Sequence, residues 1–154
     1  MDVSNLLSRQ GHRMLQIGVW LFVFSGVEGF FIPSFPYPPL GRSVHTLSGL
    51  EGVIILAVGL FWPRLRLGPT ASRVAFWTFL YSNVATLIPF ILAAVWGAGN
   101  STMPLAAGPA HGTALQEAII RDVVYTAPLP FFVSMGLIIW GLRMASSQSE
   151  AGSE

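Results

Sequence analysis

Residues 44–62 read VHTLSGLEGVIILAVGLFW and stop at Pro63. Apart from His45 and Glu51 the stretch is apolar or small, and a helix that crosses a bilayer needs about 20 such residues. Three more stretches have this character: about Met14–Ile32, Val74–Trp96 and Ile119–Leu142. Together they predict an all-α fold, an integral membrane four-helix bundle. It forms one domain over residues 1–145, with a polar, disordered tail over 146–154.

Composition agrees. The 154 residues are 53% hydrophobic and 10% charged, against about 25% charged in a soluble domain. All eight basic residues are Arg, seven residues are acidic, and the net charge is +1. No basic cluster invites nucleic acid. There is no Cys, which excludes disulfides, thiolate-bound haem, iron–sulfur clusters and a Cys nucleophile. A metal would have to rely on His12, His45 or His111, on carboxylates or on water.

Arg9, Arg13, Arg64, Arg66, Arg73 and Arg143 fall on one side of the spans, and Arg42 and Arg121 on the other. The positive-inside rule then places both termini in the cytoplasm, in a multi-pass protein of the inner (cytoplasmic) membrane. The first span has Glu28 inside it and lacks an A-x-A cleavage site, so it reads as a mature helix rather than a signal peptide. Residues 32–42, IPSFPYPPLGR, hold four Pro and predict a stiff outward loop. The loop over 97–116 is long, and its Met103–Ala107 segment suggests a lid.

Ionisable groups inside a bilayer are functional candidates. Those here are Glu28, His45, Glu51, Arg121 and Asp122, beside a polar patch of Tyr81, Ser82, Asn83 and Thr86. Ser48, Gly49 and Gly52 follow His45 at three, four and seven positions and share its helical face. One reading is a flat groove beside the imidazole, where a planar ligand such as haem could lie. The other is a small-residue packing stripe, with His45 bonded to a carbonyl. Spacing alone favours the stripe.

Glu51 is rotated about 120° from His45. It suits proton transfer from a pocket between helices, or a structural bond to a group such as Asn83. Both readings stand open. Glu28 reads as structural, and Arg121 with Asp122 as interface or packing residues. Thr113 and Gln116 have capping-box spacing and predict a helix start near Ala114. His111 is a candidate for the pocket mouth. No HExxH, Walker A or GxGxxG motif is present, and no third member supports a serine protease. A proton or ion path through Glu28, Glu51 and the polar patch is a non-enzymatic alternative. A b-type electron carrier would want a second intramembrane His.

The strings HTLSGLEGVIILAVGLFWPRL (45–65), FWTFLYSNVATLIPFILAAVWGAG (76–99), STMPLAAG (101–108) and HGTALQEAII (111–120) resemble the hydroxylaminobenzene mutase family. These are small four-helix membrane isomerases, and the similarity runs from about His12 to Arg143. More distantly, the His45-to-Pro63 spacing and Ser82–Asn83–Val84 resemble styrene oxide isomerase. The resemblance implies a homotrimer that binds haem b with His45 as axial ligand. Ser48, Gly49 and Gly52 would lie beside the haem, and Arg42, close to His45 and on the same side, is a candidate for its propionates.

The implied reaction moves oxygen from nitrogen to the ring of a small apolar aryl hydroxylamine, giving an aminophenol. The alternative is epoxide isomerisation. Glu51, Tyr81 and Asn83 would be the pocket groups. The chain departs from the families at Glu51, where they carry an amide, and at Thr86, where the mutases carry Asn. Substrate identity therefore stays open.

Overall fold

The structure is a computed structural model and describes residues 2–151, with side chains through Arg143. Its helices are α1 (Val3–Gly29), α2 (Pro38–Phe61), α3 (Pro69–Trp96), α4 (Pro104–Ala107), α5 (Ala114–Val124) and α6 (Pro128–Ala151). No strand occurs among the described residues. Residues 152–154, the end of the expected tail, lie outside them, and residues 146–151 of that tail continue α6 instead of forming a separate disordered segment.

Three segments are long and apolar enough to cross a membrane: Pro38–Arg64, Pro69–Trp96 and Ala114–Arg143. α1 is not among them. It ends at Gly29 instead of Ile32, so a membrane-length window within it reaches back to His12 and Arg13. Even so, its outer face is broadly apolar: Val19, Trp20, Phe22 and Val27 are all more than half exposed.

Proline sets several boundaries. Pro38, Pro69, Pro104 and Pro128 each occupy the first turn of a helix, where a missing N–H costs nothing. Hence α2 starts at Pro38, six residues before the expected Val44, and takes in part of the proline-rich loop. The same rule divides the fourth expected span. Pro128 disfavours helical geometry in the residue before it, so residues 125–127 form a turn between α5 and α6. At the start of α5, Gln116 N donates to Thr113 Oγ1 at 3.3 Å and Thr113 N donates to Gln116 Oε1 at 2.8 Å. This is the capping box the spacing predicted.

α1 and α2 form an antiparallel hairpin around a seam of small residues repeating every seven positions. On α1 these are Gly11, Gly18 and Ser25; opposite them on α2 lie Gly59, Gly52 and His45. A Cβ at Gly11 would stand 2.9 Å from the Gly59 carbonyl, and one at Gly18 would stand 2.8 Å from that of Gly52. Only glycine permits this approach. The third step of the seam brings Ser25 against His45, where Ser25 Oγ donates to the His45 carbonyl at 2.8 Å. The packing that joins the helices thus also seats the histidine.

At the opposite end of the bundle, buried Gln10 ties three segments together. Trp62 Nε1 donates to its Oε1 at 3.1 Å, Ser72 Oγ donates to the same oxygen, and its amide donates to the Ser72 carbonyl at 3.4 Å. Every polar atom in this apolar setting is thereby engaged.

The loop between α3 and α5 is also pinned. Glu117 on α5 accepts from the backbone N–H groups of Gly99 (2.7 Å), Gly112 (3.0 Å) and Ser101 (3.2 Å), and from Ser101 Oγ (2.5 Å). Asn100 Nδ2 donates to the Gly108 carbonyl. One carboxylate therefore gathers both ends of the loop over the bundle, and α4 lies between them. His111 lies exposed on the same loop. Arg121 and Asp122 are both exposed and pair with each other, Nε to Oδ1 at 2.9 Å.

Candidate functional site

His45 projects from α2 between α1 and open space, its side chain 44% exposed. Its Nδ1 lies 2.9 Å from the Ser25 carbonyl oxygen and 3.4 Å from Ser25 Oγ. A carbonyl oxygen can only accept, so Nδ1 carries a ring proton and Nε2 is the nitrogen left facing the open side. Among the described residues nothing bonds Nε2. This is the usual arrangement of a metal-binding imidazole, whose second nitrogen is held by a carbonyl or carboxylate.

The groove beside the ring is lined by Phe22, Ser25, Gly26, Thr46, Gly49, Leu50 and Val53, with a volume near 420 Å³. A Cβ at Gly26 would meet nothing within 4 Å, so the floor is flat and open. Gly49 lines this groove as expected. Ser48 and Gly52 do not. Ser48 is fully buried and donates to the Val44 carbonyl at 2.8 Å. Gly52 is pressed against α1, where a Cβ would stand 3.0 Å from the Gly18 carbonyl and 3.1 Å from Phe22 N. The two alternatives read from the His45 face are therefore both present: part of it packs α1, and part is open groove. Arg42 borders an adjoining hollow with Ser43 and Phe90, and that hollow shares Thr46 and Leu50 with the His45 groove.

On the other flank of α2 lies a cavity of about 430 Å³ between α2, α3 and the α5–α6 turn. Leu47, Leu50, Ile54, Phe79, Phe131 and Phe132 supply most of its apolar wall, and Glu51, Ser82, Asn83 and Thr86 its polar groups. The donors of α3 are spent locally. Ser82 Oγ and Asn83 Nδ2 each donate to the Phe79 carbonyl at 2.8 Å, and Thr86 Oγ1 donates to the Ser82 carbonyl at 2.8 Å. Glu51 is 5% exposed and its Oε2 has no hydrogen-bond partner. The Phe79 carbonyl is the partner of Asn83 Nδ2 and Glu51 Oε2 accepts from nothing, so the structural bond between Glu51 and Asn83 is not formed. What remains is an apolar box with one unengaged carboxyl.

Tyr81, expected in the same pocket, is turned outward. It is 48% exposed, and its hydroxyl donates to Thr126 Oγ1 at 2.9 Å. It braces α3 against the α5–α6 turn that closes one side of the cavity. The structure thus brings Glu51 and Asn83 together and sets His45 apart, with Leu50 bordering both sites.

No three His, Asp or Glu side chains come together as a metal site among the described residues. The donor set at His45 is one imidazole nitrogen over a flat groove. That donor set would fit a group that brings its other metal ligands with it, as a macrocycle does.

The chain is similar to two curated proteins of Ectopseudomonas oleovorans. It is 40% identical to hydroxylaminobenzene mutase HabB over 136 residues, covering 88% of this chain and 83% of HabB. It is 32% identical to hydroxylaminobenzene mutase HabA over 127 residues, covering 82% of this chain and 94% of HabA. No solved structure matches it. The family model for styrene oxide isomerase matches residues 10–143, which include the α1–α2 seam, His45, the Glu51 cavity and the pinned loop. The chain therefore belongs to the styrene oxide isomerase family of enzymes.

Proposed function

We propose that this protein is a membrane isomerase that rearranges aryl hydroxylamines to aminophenols, with haem b held by Nε2 of His45. The observation that carries the reading is the aryl-sized apolar cavity with a single unengaged carboxyl, in a chain 40% identical to a hydroxylaminobenzene mutase. Arg42 would meet the haem propionates, and Gly26 and Gly49 would let the ring lie close to α1 and α2. When bound, the iron supplies Lewis acidity toward the substrate's heteroatom.

The remaining work falls to the chain. In the net reaction the N–O bond breaks, a C–O bond forms on the ring, a ring proton leaves and nitrogen regains one, so the formula is unchanged. Positive charge develops on the aryl fragment as the N–O bond parts. The Glu51 carboxyl faces that fragment and is placed to receive the ring proton. Asn83, its amide nitrogen committed to Phe79, keeps its carbonyl oxygen to orient a substrate N–H or O–H. The wall of Phe79, Phe131 and Phe132 keeps water from the cation.

In this proposal α1 is the fourth span of a four-helix bundle in the inner membrane. Its exposed Trp20 and Val27 support that placement, and both termini face the cytoplasm. The His45 groove and the Glu51 cavity flank the exposed face of α2. A homotrimer would supply a neighbouring copy to cover that face and join the two sites. Apolar substrates partition into such a setting from the bilayer.

Epoxide isomerisation is the second reading, favoured by the family model. Purified protein offered phenylhydroxylamine and styrene oxide separately distinguishes them by chromatography of the products. The expected result is aminophenol, with phenylacetaldehyde at least tenfold slower. Preferential conversion of the epoxide would reverse the assignment.

A further inference from the structure

One buried acid has no part in this chemistry. Glu28 on α1 is 5% exposed, and neither of its carboxylate oxygens has a hydrogen-bond partner. On one side it borders an apolar hollow formed by Phe24, Val27, Phe31 and Ile91. On the other, its Oε2 stands 3.8 Å from Nδ1 of His45. A carboxyl buried without a partner is costly, and the structure sets the His45 imidazole beside it.

Two neighbours complete the arrangement. Ser25, Glu28 and Gly29 lie at i, i+3 and i+4 and share one face of α1. Ser25 offers its carbonyl to Nδ1 at 2.9 Å. Gly29 offers bare backbone, and a Cβ there would stand 3.0 Å from Nδ1 and 3.1 Å from Cε1 of the ring. The imidazole therefore rests against one hydrogen-bond acceptor, the Ser25 carbonyl, with the Glu28 carboxyl 3.8 Å from Nδ1 and bare backbone at Gly29. A ring flip would turn Cδ2, in place of the Nδ1–H donor, toward the Ser25 carbonyl and the nearby Glu28 carboxyl.

We propose that Glu28 is a positioning residue for His45: with Ser25 and Gly29 it keeps Nδ1–H turned into α1 so that Nε2 is presented to the groove. The proposal rests on the reading of His45 as the haem ligand, and it makes α1 part of the site rather than a mere packing partner.

The test uses the full-length protein in detergent, labelled with ¹⁵N-histidine, first without haem and then titrated with it. In the haem-free wild type, His45 is expected as the single Nδ1–H tautomer. Glu28→Leu is expected to give a mixture of ring states and to weaken haem affinity by roughly 10–100-fold, as loss of an outer partner does. Glu28→Gln keeps an acceptor oxygen in place and is expected to restore both readouts to near wild type. Gly29→Ala, with Glu28 intact, is expected to displace the ring and lose haem similarly.

A Glu28→Leu protein with an unchanged tautomer and unchanged affinity would overturn the proposal. Should that variant not fold, Glu28→Asp withdraws the carboxyl by one methylene and carries the same expectation and the same refutation. If wild type binds no haem, the ligand reading fails, and the haem-free spectra still decide whether Glu28 orients the ring.

Discussion

Replacing His45 with Ala is expected to abolish haem binding and to lower the rate of aryl hydroxylamine rearrangement by roughly 10³-fold, equivalent to about 4 kcal/mol of lost Lewis-acid stabilisation. The imidazole is nearly half exposed, and Nε2 supports no other part of the fold. Its removal leaves the Gly11–Gly59 and Gly18–Gly52 contacts of the seam untouched, so the folded protein should persist. Two measurements check this: the Soret band of the purified variant, and its helical circular dichroism on heating. An absent band with an unshifted melt is the expected pair. A variant that keeps an identical Soret band would place the haem ligand elsewhere.

The second large effect belongs to Glu51. Glu51→Gln keeps a polar contact in the cavity but no longer provides a carboxylate to receive a proton or face a cation. Its kcat is expected to fall roughly 10²-fold with little change in KM. Glu51→Leu is expected to lose at least as much in kcat and to raise KM as well. Because Oε2 of Glu51 is buried without a partner, the apolar variant should melt at the same temperature as wild type or higher. That combination, lower activity with undiminished stability, marks a group kept for chemistry. Since Glu51 and His45 line different pockets, both variants should retain the wild-type Soret band. A Glu51→Gln enzyme with wild-type kcat would remove the carboxylate from the reaction and leave it a positioning group at most.

The helical, membrane-crossing character of the chain was legible because hydropathy and length state it directly. So was the start of α5, since a capping box is a local device of Thr113 and Gln116. The break at residues 125–127 was equally local in origin, yet the apolar residues on either side of it concealed what Pro128 does to the residue before it. The candidate site was legible as a set of polar intruders, not as an arrangement. Helical periodicity tells which residues share a face with His45, but not which neighbour covers that face. Hence Ser48 and Gly52 looked like groove residues, although Ser48 is fully buried and Gly52 is pressed against α1.

The seven-residue spacing of Gly11, Gly18 and Ser25 against Gly59, Gly52 and His45 is visible in the sequence. It acquires meaning only once the two helices are known to run antiparallel in close contact. Tyr81 and Asn83 were grouped by proximity along α3. Their side chains part, one outward to Thr126 and one into the cavity. Spacing along the chain did not show that Glu28 lies 3.8 Å from His45, which is 17 positions further on and on another helix.

The most direct test of the central claim, an intramolecular oxygen shift in a water-excluding pocket, uses phenylhydroxylamine labelled with ¹⁸O on nitrogen. The purified protein is incubated with it in ordinary water, and the aminophenol is analysed by mass spectrometry. The expected result is aminophenol of unchanged mass that retains the label. Aminophenol carrying solvent oxygen, or no product at all, would contradict the account.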